Sequence, residues 1–280
     1  MNRKPFIILI VIVGLTACSS FRLLYDFVDD YILEEAQYFL KLDEQGVQNL
    51  NYQVNSMMNW HNATMLPNYA TYLVSMADNL DRGLYGKKVV NKAIKDGREL
   101  VGRAVAGAAP YVARVLVDQT NTESIEYLRL KMLERNKKQY ENLLKPLRNR
   151  TRERTERLKN NFERFMGKLT KKQDMLIDQY VKSTSDNWRK RLANLKLRQF
   201  ALLNVLSKNP SEPELIKFIQ QILMQSHEIV DPSYKALSEN QIERFGGFLT
   251  QMFAFSSEEQ RRLTAIKLKS YAEDFIDISR

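Results

Sequence analysis

TESIEYLRLKMLERNKKQYENLLKPLRNRTRERTERLKNNFERFMGK, residues 122–168, decides the fold class. Ile125, Leu128, Met132, Tyr140, Leu143, Leu147, Leu158, Phe162 and Phe165 form an apolar seam at helical spacing in an otherwise charged surface. A period near 3.6 residues marks an amphipathic helix. Pro146 is the point at which this helix can break, because proline lacks an amide donor and its ring crowds the preceding turn. A second run, from Thr170 to about Ser207, places Leu176, Tyr180, Leu192, Leu195, Leu202 and Leu206 in the same way. Helices of this length pack as an elongated bundle or an antiparallel hairpin.

The flanking sequence agrees. Ten glycines and seven prolines in 280 residues are few, and no stretch shows sustained strand-type alternation. The expectation is therefore all-α: an elongated helical bundle with two long central helices. Asp43 can cap a helix that runs to Pro67, where a new one begins and continues to about Leu80. Gly83 and Gly86 mark a loop. Residues 88–117 are rich in small side chains (Gly97, Gly102, Ala104, Ala106, Gly107, Ala108, Ala109) and are punctuated by Lys92, Lys95, Arg98, Arg103 and Arg114, so they do not form a membrane span. They read as a tightly packed helical hairpin bent at Pro110, or as an amphipathic hairpin touching a membrane. Asn209-Pro210-Ser211-Glu212-Pro213 ends the second long helix, and helices over about 213–227, 234–253 and from Ser257 complete the chain. Thr170-x-x-Gln173 and Ser257-x-x-Gln260 fit the capping box, in which a hydroxyl and an amide satisfy exposed backbone donors reciprocally. Both read as helix starts rather than as repeats.

The N-terminus carries a different signal. Arg3 and Lys4 precede the apolar run Phe6–Leu15, which ends at Thr16-Ala17-Cys18, the only cysteine. The run is about half the roughly 20 residues a spanning helix requires, so it reads as a signal-peptide core. Leu15-Thr16-Ala17-Cys18 resembles the lipobox of bacterial lipoproteins, which implies cleavage before Cys18 and acylation of its sulfur. Residues 1–17 are then a signal peptide. Residues 18–280 form a single all-helical periplasmic domain with sub-parts 18–120 and 121–280. Ser19 after the cysteine implies, by the same resemblance, export to the outer membrane of a Gram-negative bacterium. Two or more acyl chains anchor stably, so the membrane is the first expected partner. Phe21, Leu24, Phe27, Val28, Tyr31 and Ile32 recur at helical spacing directly after the anchor and face either the core or the lipid interface.

Charge is concentrated in one place. The net charge is +10, yet residues 129–172 hold 16 Lys and Arg against 5 Asp and Glu. The remaining chain is close to neutral. Arg148, Arg150, Arg152, Arg154 and Arg157 crowd the centre of this segment, with Glu153–Arg157 and Arg152–Glu156 at i,i+4 spacing. Such a cluster is either a solvated helix face or a surface for anionic groups. Secretion removes intracellular nucleic acid as a partner. An envelope protein, anionic lipid or peptidoglycan remains.

Other chemistry is sparsely provided for. His61 and His227 are the only histidines and neither has another at ligand spacing, so no metal site and no cofactor are expected. No nucleophile elbow or phosphate-cradling glycine loop is present. Asp29, Asp30, Glu34 and Glu35 cluster on the first helix and could pair for acid–base work, although a solvated face explains them equally. Trp60, His61, Pro67 and Tyr69 form the best candidate contact site, since indole and phenol join apolar bodies to polar tips.

These stretches together resemble a family of proteobacterial lipoproteins that is a domain of unknown function. The shared elements are the lipobox, the helix with Tyr25, Asp29 and Asp30, and Leu42-Asp43-Glu44-Gln45. Trp60-His61…Leu66-Pro67-x-Tyr69-Ala70, the charged long helix, Leu169-Thr170-x-x-Gln173, and a closing Ser-x-Glu-Gln helix with Tyr271 and Phe275 complete it. The resemblance covers most of the chain after Cys18, apart from residues 97–109. It implies an all-helical envelope lipoprotein and lends no activity. The functional expectation is a lipid-anchored, non-enzymatic binding protein. The alternative is an envelope hydrolase or transferase using a carboxylate pair.

Overall fold

The computed structural model describes Tyr25, residues 27–185 and residues 187–280. Cys18 and the apolar leader lie outside the described residues, as does the start of the expected helix after the anchor. All regular structure among the described residues is helical: α1 (Val28–Phe39), α2 (Glu44–Trp60), a π-helical turn (His61–Met65), α3 (Leu66–Asp81), α4 (Lys87–Leu116), α5 (Thr122–Leu144), α6 (Leu147–Met166), α7 (Lys171–Ser183), α8 (Asn187–Leu206), α9 (Glu212–Met224), the single turn α10 (Ser226–Ile229), α11 (Tyr234–Ala254) and α12 (Glu258–Ile278). The all-α class is the one observed.

Helix starts follow side-chain chemistry. The Asp43 carboxylate accepts from the Gly46 amide at 2.8 Å, and both anticipated capping boxes, Thr170/Gln173 and Ser257/Gln260, are formed. A third box, Ser211/Glu214, starts α9; its S-x-x-E spacing was legible beside Pro210 and Pro213. The first long run does break at Pro146, into α5 and α6. Gly167 then ends α6 at φ 72°, a conformation glycine adopts without strain.

Three helical expectations are corrected. The run 170–207 is two helices, not one. At the junction the hydroxyls of Ser183, Thr184 and Ser185 bond back to the carbonyls of Tyr180 and Lys182, offering the backbone an alternative to continuing. Residues 87–116 form one helix, not a hairpin. Pro110 sits inside it, and the side chain of Gln220 on α9 approaches the Ala106 carbonyl that the missing amide leaves free, at 3.5 Å. Helix α2 ends at Trp60 rather than at Pro67, and the π turn fills the interval; the expected restart holds, with Pro67 in the first turn of α3.

Helix α4 is the axis of the molecule: α2, α3, α9, α11 and the π turn all pack on it. Its small residues are what allow this. A Cβ at Gly97 would lie 2.9 Å from the Tyr72 hydroxyl, one at Gly102 3.4 Å from Met224, and one at Gly107 1.9 Å from the Trp60 indole. Three neighbouring helices therefore seat a side chain against the α4 backbone at five-residue intervals. No helix among the described residues is long and apolar enough to cross a membrane.

Two main apolar clusters flank this axis. Leu50, Val54, Ala113, Leu206, Leu215 and Ile219 join α2, α4, α8 and α9, while Met166, Ile177, Val181, Phe248 and Met252 join α6, α7 and α11. Helix α12 returns along α3, the most extensive helix–helix contact in the molecule. On α1 the expected apolar face is divided. Ile32 packs into the first cluster, whereas Phe27 and Tyr31 are more than 60% exposed.

Candidate functional site

The π turn sets the geometry of the aromatic block. One additional residue in the turn rotates the chain between Trp60 and Tyr69 and brings both rings beside His61, at 6.3 and 5.6 Å between centroids. Trp60 lies against Gly107 and Tyr111, and Tyr69 against Phe275 of α12. Pro67 lies in the first turn of α3, and its carbonyl accepts from Thr71. Sequence reasoning missed the link to the N-terminal segment. The Tyr25 hydroxyl donates to Asn62 Oδ1 at 2.5 Å and lies 2.8 Å from His61 Nδ1. Tyr25, Trp60, His61, Tyr69 and Phe275 thus meet although 250 positions separate the outermost two.

This cluster is held in its uncharged forms. Burial lowers the His61 pKa below its ordinary value, opposed by the hydrogen bond with Asn62. Burial, with Tyr69 and Asp29 nearby, pushes Tyr25 up to about 12. Burial raises Tyr69 as well. Of the acidic cluster on α1, Asp29 lies near Tyr25, whereas another member is committed to a neighbouring helix. Glu35 pairs with Arg135 of α5 at 3.1 Å. No group of three or more His, Cys, Asp or Glu among the described residues is placed to hold a metal ion.

The basic segment forms α6, and its arginines divide by direction. Arg148, Arg152 and Arg157 are exposed. Arg150 donates to the Lys145 carbonyl at 3.2 Å, and Arg152 lies 3.9 Å from Glu156. The Glu153–Arg157 pair does not form within 4 Å. Arg154 turns inward, sits 5.7 Å over the Tyr180 ring and donates to the Thr184 carbonyl at 3.2 Å. Burial lowers its pKa, and although Tyr180 opposes this, Arg191 and Arg157 add to it. The α7–α8 corner is therefore a place where guanidinium groups converge, with Arg244 donating to the Ser183 carbonyl at 2.7 Å.

A third feature had no counterpart in the sequence reading. A cavity of about 590 Å³ lies between α3, α4, α6, α11 and α12. Val90, Ile94, Leu158, Phe162, Phe165 and Leu249 form much of its wall. Tyr72 and Thr264 also line it, but their hydroxyls are turned to the carbonyls of Ala93 and Gln260. Arg98 is the one ionised side chain lining it among the described residues. Val101 and Leu84, 55% and 46% exposed, mark where it meets solvent. Of its wall, Leu158, Phe162 and Phe165 read as part of the apolar seam of a helix, since a void has no periodicity.

No curated protein and no solved structure matches the chain. The model of a family of unknown function, DUF6279, matches residues 38–235, which include the aromatic block and all of α6. The chain belongs to that family.

Proposed function

We propose that this chain is a lipid-anchored lipoprotein on the periplasmic face of the outer membrane, attached through Cys18, that binds an anionic envelope component without catalysing a reaction. The observation that carries the reading is the arrangement of α6. Arg148, Arg152 and Arg157 stand exposed along one helix. Arg154 and Arg191 add positive potential at the adjoining corner. A planar guanidinium suits phosphate and carboxylate groups alike, so lipid headgroups, lipopolysaccharide phosphates and peptidoglycan carboxylates are the matching chemistries. The catalytic alternative receives less support, because Glu35 is committed to Arg135 and His61 to Tyr25.

Photo-crosslinking amino acids at positions 148, 152 and 157 in living cells test this. A discrete adduct from these positions, absent from a control at Arg262 on α12, is expected. Adducts no different from the control would discard the reading.

A further inference from the structure

We propose that the cavity between α3, α4, α6, α11 and α12 is a binding site for a long-chain fatty acid. The chain would lie in the apolar chamber and the carboxylate would meet Arg98. This site is distinct from the α6 surface and does not depend on it.

The argument begins with what the chamber cannot hold comfortably. Its volume of about 590 Å³ falls within the roughly 300–1,000 Å³ of ordinary ligand sites. That is room for some twenty waters at ~30 Å³ each, but a bound water needs two to four polar partners. The wall supplies very few, since the Tyr72 and Thr264 hydroxyls are spent on backbone carbonyls. An apolar occupant is the chemical match, and a methylene takes slightly less room than a water. One acyl chain of ordinary length therefore fits.

The head group follows from charge. Arg98 is exposed, lines the chamber and has no carboxylate within 4 Å among the described residues. Its neighbours on α4 are committed: Lys95 faces Glu99 at 3.8 Å, and Lys92 bonds to Asp96 at 2.5 Å. Val101, one turn further along α4, is 55% exposed at the opening. A cation beside an apolar mouth matches a carboxylate on a single chain, which a guanidinium can grip with two parallel hydrogen bonds.

The test uses the full chain in nanodiscs of zwitterionic lipid, labelled by a palmitate analogue with a photoreactive diazirine near the chain end. Adducts are mapped by mass spectrometry. Labelling should concentrate on residues 89–101, 158–166 and 245–253, and added palmitate should displace it. Arg98→Glu should weaken that displacement about tenfold, the effect of losing one charged hydrogen-bonded contact, while competition by the neutral hexadecanol stays unchanged. Ala93→Phe should fill the chamber and abolish the label with helicity intact. If that variant loses its helical signal, the adduct map and Arg98→Glu decide alone. Adducts scattered over the surface, or labelling unaffected by either substitution, would overturn the site. Hexadecanol competing as well as palmitate would overturn the role of Arg98. Lysophosphatidylglycerol displacing the label at far lower concentration than palmitate would overturn the fatty acid as occupant. None of these changes touches Arg148, Arg152 or Arg157, so a failure here and a failure of the α6 reading are separable.

Discussion

The side-chain amides of Gln173 and Gln260 face each other across the N-termini of α7 and α12, each donating to the other's oxygen at 3.2 Å. Each oxygen also accepts from the backbone amide of its own cap, Thr170 at 2.9 Å and Ser257 at 3.1 Å. The remaining amide hydrogens reach the carbonyls of Met252 at 3.4 Å and Lys168 at 2.9 Å. Two capping boxes are thereby fused into one buried polar joint between helices that start 87 positions apart.

A double-mutant cycle should register that joint. Gln173→Leu leaves the Thr170 amide and the partner amide without a bond in a buried place, so a loss of about 1–3 kcal/mol is expected. Gln260→Leu should cost about the same. The double variant should cost less than the sum, by about 0.5–3 kcal/mol, because neighbours in one network are not additive. Urea midpoints at constant m-value are the readout; strict additivity would show that the two amides act separately.

Trp60 and Gly107 give a second prediction. Gly107→Ala places a methyl group inside the indole, and the helix propensity gained does not offset that clash, so about 1–3 kcal/mol should be lost. Trp60→Leu in the same chain should recover part of it by vacating the space. A Gly107→Ala variant that melts like the parent would mean the indole has another place to go.

Stability should fall at both ends of the pH scale through the aromatic cluster. His61 is lowered in the folded chain, so the unfolded chain takes up a proton first as pH falls below about 6.5. Its contribution is present above that pH and is lost on acidification. Tyr25 is raised to about 12, so the unfolded phenol ionises first from about pH 10 upward. Its contribution is present below pH 10 and is lost toward 12. Melting temperature against pH should show both limbs, the acid limb flattening in His61→Gln and the alkaline limb in Tyr25→Phe. Unchanged limbs in these variants would assign the pH dependence to other groups.

The proposed anchor has its own test. Cys18→Ser should abolish incorporation of radiolabelled palmitate and leave a longer, uncleaved precursor on gels. Label persisting on the serine variant would rule out acylation at this position.

Much of the helix inventory was legible because the signals are local. Asp43, Thr170 and Ser257 start helices by bonding amides three residues away, and Pro146 stops one by lacking an amide of its own. Errors arose where a local breaker was compensated from a distance. Pro110 reads as a bend until Gln220 is seen beside the carbonyl it strands. Of the basic segment, periodicity could not say that Arg154 alone turns inward, since Tyr180 and Thr184 reach it from a different helix.

The all-α class, the capped helix starts and the concentration of charge in one segment were readable along the chain, because each depends on residues close together in it. Tertiary structure alone decided that two capping glutamines meet, that Tyr25 closes on His61, and that an apolar chamber opens beside Arg98. These are relations among residues far apart in the chain. They arise only when the small side chains of α4 let several helices close upon one axis.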